Sequence, residues 1–317
     1  MNIRTGKNAK FPYYARNVLR QLEPRAWFRH RLPRLIDEAC RRSDFDEIKR
    51  RVNYYCRIEP GTILPSGCPT LAEHRPGSQK VYFFDSYEYT RYFPPHLRWS
   101  FAPGDAPDVT ETPTVMKCRP TSADTAIAVL LNLDKVRHFI FLDDPASWED
   151  KSPTAIYRGR MGRNPSRRAI MERYLGNPRV DAGDVSRPGR VPDEWLKPKL
   201  TLYAHLGHRF ILCPEGNDVA SNLKWVMSTN TLAVMPRPRW ETWFMEGSLE
   251  PERHYVEVKP DFSDLEERMD HYLGHPALAR EIIAEAHAHV DRFRDRHRED
   301  LVSLLTLHKY FRNTGQI

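Results

Sequence analysis

Between Ile211 and Met235 the chain reads ILCPEGNDVASNLKWVMSTNTLAVM. An apolar run ends at Pro214, an acidic Gly-Asn-Asp turn follows, Val219, Leu223 and Val226 then recur at helical spacing, and TLAVM forms a second apolar run. Strand, turn, helix and strand in that order belong to a parallel sheet. The turn then lies at the carboxyl edge, where ligands bind, and the helix start offers unpaired N–H groups and a positive dipole end. Glu215 leads into the turn, Gly216 allows close backbone approach, Asn217 or Asp218 can cap, and Ser221, Asn222 and Lys224 occupy the first two helical turns. This suits a diphosphate. The same residues also read as an ordinary glycine turn with a cap, since no GxGxxG or Walker sequence is present.

A second cluster of cations stands in YRGRMGRNPSRR, from Tyr157 to Arg168. Arg158 and Gly159 fall at the end of the strand TAIYRGR, and Arg167 and Arg168 lie one turn into a helix, so cations converge at a sheet edge. Two such edges together point to a nucleotide-diphosphate cleft. Carboxylates that could move a proton are Asp105 in SFAPGDAPDVTETP and Asp85 in YFFDSYEY; either also reads as an Asx-turn residue. Asp143 and Asp144 in FLDD read as a strand-end cap or turn. Lys117 and Arg119 in VMKCRP read equally as phosphate ligands or as a solvated pair. His205, His208 and His254 lack metal-ligand spacing; His254 reads as a ligand contact or a packed histidine.

The elements that must position these groups follow from the alternation of patterns. Helices are expected from Pro33 to Arg51, a strand at KVYFFD (Lys80 to Asp85), a short strand at TVMK, a buried helix at TAIAVLLNLDKV and a strand at HFIFLDD. TAIYRGR, RFILC, TLAVM and HYVEV are expected as strands. SDLE (Ser263 to Glu266) carries a capping-box signature, ALAREIIAEAHAHVDRF is strongly periodic, and a last helix runs from Asp300 to Phe311. Alternating strands and helices imply an α/β fold with a parallel sheet.

The 317 residues allow two domains of ordinary size. Residues 1–150 are expected to form the N-terminal domain, 151–295 the second, and 296–317 a helix that can return to the first. Five cysteines without a CxxC pair suggest neither a disulfide framework nor a zinc site. No apolar run reaches membrane-spanning length. The N-terminal sequence has no apolar core of signal-peptide length, which sets a cytoplasmic expectation. The net charge of +7 is uneven: nine Lys or Arg stand against Glu23 alone between Arg4 and Arg34, interleaved with Phe11, Tyr13, Tyr14, Trp27 and Phe28. That stretch reads as a solvated face or as a surface for an anionic membrane. No DNA or RNA motif supports a nucleic-acid partner.

The second half of the chain resembles glycosyltransferase family 90, which includes bacterial lipopolysaccharide-modifying enzymes of the LpsA type, fungal capsule xylosyltransferases and Rumi-like protein O-glucosyltransferases. The resemblance is carried by RPTSADTAIAVLLNLDKVRHF, by YRGR with its downstream Arg, by the block from EGND to HYVEV, and by DLEERMDHYL, over roughly residues 80 to 295. It implies a GT-B architecture of two Rossmann-like domains facing across a cleft, the donor held by the C-terminal one. It makes Arg158, Gly159, and Arg167 or Arg168 donor-side residues, Gly216 to Lys224 the diphosphate loop and helix, Glu241 the ribose ligand, and Asp105, ahead of Asp85, the general base. Rumi-like members carry an Arg near Leu223, where this chain has Asn222 and Lys224. Lys117 and Arg119 match a Lys-Ser-Arg-Pro element with Cys118 in place of Ser, and would bind acceptor or donor phosphate.

The expected activity is therefore metal-independent, inverting transfer from a UDP-sugar to a hydroxyl of a lipopolysaccharide or surface-polysaccharide acceptor. No cofactor or metal is expected. The partners are the nucleotide sugar, a glycan or lipid-linked glycan, and an anionic membrane at which the enzyme is peripheral. Protein O-glycosylation, or a catalytically silent nucleotide-sugar or nucleic-acid binding protein, are the alternatives.

Overall fold

The computed structural model describes residues 5–108, 111–122, 125–162 and 164–317. The chain divides into two compact units, one formed by Ala9–Val136, Trp240–Met245 and Phe293–Ile317, the other by Met1–Asn8, Arg137–Arg239 and Glu246–Arg292.

The first unit is mostly helical. Its helices are α1 (Lys10–Arg20), α2 (Arg25–Arg41), α3 (Phe45–Tyr55), α4 (Lys80–Thr90) and the C-terminal α10 (Arg296–Asn313). Strands β1 (Ser100–Ala102), β2 (Thr114–Met116) and β4 (Ala128–Leu130) form a parallel sheet in the order β1-β2-β4. Strand β3 (Cys118–Pro120) pairs antiparallel with β9 (Trp240–Thr242), placing Arg119 opposite Glu241. A core of Tyr89, Phe93, Trp99, Val115, Val129, Leu131, Leu307, Tyr310 and Phe311 joins α4 and α10 to the sheet. Arg51 is buried on Glu299, with a 2.7 Å bond from Nη2 to Oε2, and Trp243 donates to the same oxygen at 2.7 Å. The short α5 (Lys135–His138) lies where the chain leaves this unit.

The second unit is built on β5 (Ser152–Gly159), β6 (Val180–Asp184), β7 (His208–Leu212), β8 (Leu232–Met235) and β10 (Val256–Glu257), all parallel, in the order β10-β8-β7-β5-β6. Helices α6 (Pro165–Tyr174), α7 (Leu223–Val226), α8 (Leu265–Gly274) and α9 (Pro276–Asp291) complete it. Ala155, Phe210, Leu212, Leu232, Val234 and Val256 form the sheet's share of the core. Ile170, Met171, Met269, Tyr272 and Ile282 close over it from the helices. The chain runs from β5 outward to β6, then crosses back past β5 to β7 and on to β8 and β10. That reversal is a topological switch point between β5 and β7.

Several expected elements differ. Lys80 to Asp85 begins helix α4, not a strand: eight of its side chains from Tyr82 to Thr90, polar and apolar alike, are buried, so no apolar face stands out as a period to read. The buried helix expected at Thr125 to Val136 is instead β4, whose fully buried Ala128, Val129 and Leu130 cannot be told from a core helix by pattern. Phe139 to Asp144 is irregular rather than a strand, because side chains serve its backbone: Leu142 N donates to Ser228 Oγ at 2.9 Å and Asn230 Nδ2 to Asp144 O at 3.0 Å. Pro33 lies inside α2 instead of opening a helix. The capping box at Ser263 does not form; α8 starts after Asp264, whose Oδ1 accepts from Lys259 N.

Candidate functional site

The switch point is assembled from the ends of β5 and β7. Gly159, the last residue of β5, has a local reason to be glycine: a Cβ there would stand 2.3 Å from the Tyr157 hydroxyl and 2.6 Å from its ring carbon. Asp184 at the end of β6 accepts from Met161 N at 2.8 Å and so holds the segment leaving β5. That segment enters α6 at Asn164, whose Oδ1 accepts from Arg167 N at 3.1 Å while Pro165 occupies the first helical turn.

The same two residues tie α6 to the turn after β7. Asn164 Nδ2 donates to Gly216 O at 2.9 Å, and Arg167 Nε donates to Glu215 O at 2.9 Å, while its Nη1 donates to Arg160 O at 2.9 Å. Arg167 thus lies directly over Gly216, where a Cβ would come within 2.7 Å of Nη2. All of its partners are neutral carbonyls, and among the described residues Arg167 makes no ion pair. Arg160 beside it is exposed and likewise makes none among the described residues. Two cations whose charge is not cancelled, the N-terminus of a 10-residue helix and a glycine turn therefore share the carboxyl edge of a parallel sheet. The arrangement can hold an anion.

Other residues of the turn serve its shape. Gly216 N donates to Asp218 O at 2.9 Å, Asn222 Nδ2 to Leu212 O at 2.9 Å, and the Glu215 carboxylate accepts from Arg239 N at 2.8 Å and Nε at 3.0 Å. Asp218 is buried; Asn217 and Ser221 are exposed. The helix expected after this turn is a single turn, α7, so the dipole at this edge belongs to α6. Lys224 is 0% exposed and its Nζ sits 2.6 Å from Glu246 Oε1, which places it inside the unit rather than at the turn. Arg158 lies against Asp181, with a 2.6 Å bond from Nη2 to Oδ2. Arg168 stacks over Trp195 at 5.1 Å instead of joining Arg167. His254 accepts from Glu250 N at 3.0 Å through Nδ1, and burial lowers its pKa, as expected of a packed, neutral histidine.

The remaining candidates belong to the helical unit. Asp105 follows β1 between Gly104 (φ 117°) and Ala106 (φ 44°), a left-handed conformation that costs an alanine on the order of 1 kcal/mol. Its carboxylate is 26% exposed; Lys117 Nζ pairs with Oδ1 and Tyr82 Oη donates to it at 3.2 Å. Lys117 itself is buried, so the solvated reading of Lys117 and Arg119 fails for both. Arg119 donates through Nε to Glu241 Oε1 at 2.6 Å and through Nη1 to Ala128 O at 2.9 Å. Glu241 also accepts from Tyr54 and is 2% exposed. It is thus an internal counter-ion of the helical unit, a different unit from the Gly216 turn. Asp85 is buried, accepts from Tyr13 Oη at 2.8 Å and Lys135 N at 3.0 Å, and is pushed up to about 6 by burial. Its partners make it a docking point for α1.

Asn164, Arg160 and Asp184 escape the sequence reading. An Asn directly before a Pro is the signal that could have found the first, since it marks a capped helix start. Among the described residues no three His, Cys, Asp or Glu side chains gather as a metal site, and no helix is long and apolar enough to cross a membrane.

A parallel sheet with a topological switch point and a turn there that can hold an anion makes this an α/β protein of the open parallel-sheet kind. Residues 134–298, which span the main body of the second unit, match the model of glycosyl transferase family 90. Over 265 residues the chain is 36% identical to the O-glucosyltransferase LpsA of Dichelobacter nodosus, an alignment covering 83% of this chain and 82% of that protein. The chain belongs to glycosyltransferase family 90 and is a glycosyltransferase, an enzyme that takes a sugar donor and a glycan acceptor.

Proposed function

We propose that this enzyme transfers a hexose or pentose from a UDP-sugar to a hydroxyl of a lipopolysaccharide or related surface-polysaccharide acceptor, as a GT-B enzyme whose donor half is the sheet unit. Glucose is the first sugar to try, since the Dichelobacter relative is named an O-glucosyltransferase. The observation that carries the reading is Arg167, held on the carbonyls of Glu215 and Arg160 with its charge uncancelled among the described residues.

In this scheme the donor diphosphate lies at the Gly216 turn, with Arg167, Arg160 and the α6 N-terminus against the charge that grows as the anomeric carbon–oxygen bond breaks. No metal is required for that step. Asp105 takes the proton of the acceptor hydroxyl while its oxygen bonds to the anomeric carbon on the opposite face, which inverts the configuration. Lys117 and Tyr82 fix the Asp105 carboxylate in place for that role. A thermal-shift screen against UDP, GDP and ADP with EDTA present tests the donor assignment. Selective stabilisation by UDP is expected; a folded protein that responds to no nucleotide contradicts it.

A further inference from the structure

Helix α1 is inside out. Its polar face is the buried one: Tyr13 Oη reaches Asp85, Arg20 Nη2 lies 2.6 Å from Glu88 Oε1, and Asn17 and Arg20 are buried. Its apolar face is turned to solvent. Phe11 and Val18 stand at i and i+7 on one face of the helix, Leu22 follows in the turn after it, and the three are 83%, 53% and 78% exposed. Tyr14 and Leu19 flank the stripe, and Trp27 at the start of α2 is 66% exposed. A globular protein ordinarily buries such a stripe, and one left outside marks a surface with an occupant.

The charge around it says what kind. Lys10 borders the stripe at the start of α1 and is exposed, as are Arg31 and Arg34 on α2, while Arg16 turns towards Glu88 with the polar face. Glu23, the acid of this stretch, is paired with Arg91. An apolar stripe rimmed by cations complements an anionic bilayer, whose headgroups take the charge and whose acyl boundary takes the side chains. A second copy of the chain is a poor fit. A two-fold contact would set these cations against themselves, and a stripe of one 11-residue helix falls short of the about 800 Å² per partner that a stable dimer buries.

We propose that α1 and the turn that follows it form a peripheral docking surface for an anionic phospholipid membrane, Phe11, Val18 and Leu22 entering the interface and Lys10, with the exposed Arg31 and Arg34 of α2, contacting headgroups. The proposal does not rest on the donor assignment, which is measured in solution without lipid.

The test is co-sedimentation of the full chain with vesicles of phosphatidylcholine alone and of phosphatidylcholine with phosphatidylglycerol, at low and high salt. Binding to the anionic vesicles, weakened by salt, is expected. A Phe11→Ser/Val18→Ser/Leu22→Ser variant should bind roughly tenfold or more weakly, and Lys10→Gln/Arg34→Gln should lose part of the affinity and of the salt dependence. Both sets of side chains are exposed, and unchanged melting temperatures verify the fold. No vesicle binding by the wild type, or binding untouched by the triple substitution, overturns the proposal. So does self-association of the wild type in sedimentation that the triple substitution abolishes without any effect of lipid.

Discussion

Arg167 at the switch point and the cations of the interior are in opposite electrostatic states. Lys224, Lys117, Arg119 and Arg51 are buried and each faces a carboxylate: Glu246, Asp105, Glu241 and Glu299. Arg167 is half-buried and faces carbonyl oxygens. A buried cation without a counter-charge is very costly, so interior cations arrive with their acids and their fields close on themselves. A cation fixed by neutral oxygens at an edge keeps its field for something that arrives later. Counting Lys and Arg in a motif does not separate the two kinds; asking what each one faces does.

The largest effect expected is on rate. Asp105→Asn should lower kcat roughly a thousandfold with donor affinity unchanged, and steady-state kinetics with a UDP-sugar reads both. Next, Lys224→Met should leave Glu246 buried without its partner and cost about 3–5 kcal/mol of stability, seen as a large drop in denaturant midpoint, with UDP affinity of the folded fraction preserved. Arg167→Met should do the reverse, keeping the midpoint within about 1 kcal/mol while weakening UDP roughly 10- to 100-fold. Equal behaviour of Lys224→Met and Arg167→Met in the two assays would erase the distinction between them. Gly216→Ala, whose methyl displaces the Arg167 guanidinium, should weaken UDP by a smaller factor than removing Arg167.

The smallest effect is on pH dependence in the helical unit. Burial pushes the Glu88 carboxyl up, but Lys135 and Arg20 more than offset this and hold it at about 2, below its ordinary 4.5. A depressed folded value contributes stability above pH 4.5 that is lost as pH falls from 4.5 towards about 2. Asp85 acts oppositely: raised from 3.8 to about 6, it makes the fold gain stability as pH falls through that window. Glu88→Gln should therefore melt lower than wild type at neutral pH, with the difference closing in acid, as thermal melts across pH would display.

How far the sequence carries this picture depends on the range of the interaction. Strands β5, β7 and β8 are legible because β-branched apolar runs end at glycine or proline turns, and the Gly216 turn is legible for the same reason. Arg167 is legible as one of two neighbouring arginines, though its choice over Arg168 needs the carbonyls it reaches. The partners of Lys224 and Glu241 are not legible, because the acid or base that pairs with each lies 22 and 122 residues away. Helix α4 misleads because packing on all sides erases its period. The exposed stripe of α1 is hidden for the converse reason: its spacing says amphipathic, and only the contacts of Tyr13 and Arg20 reveal which face is buried.

Isothermal titration of UDP into wild type and Arg167→Met, with EDTA throughout, tests the central claim most directly. The account predicts metal-free binding by the wild type, weakened at least tenfold in the variant at unchanged melting temperature. Equal UDP affinity in the two proteins would contradict it and remove the diphosphate from the Gly216 turn.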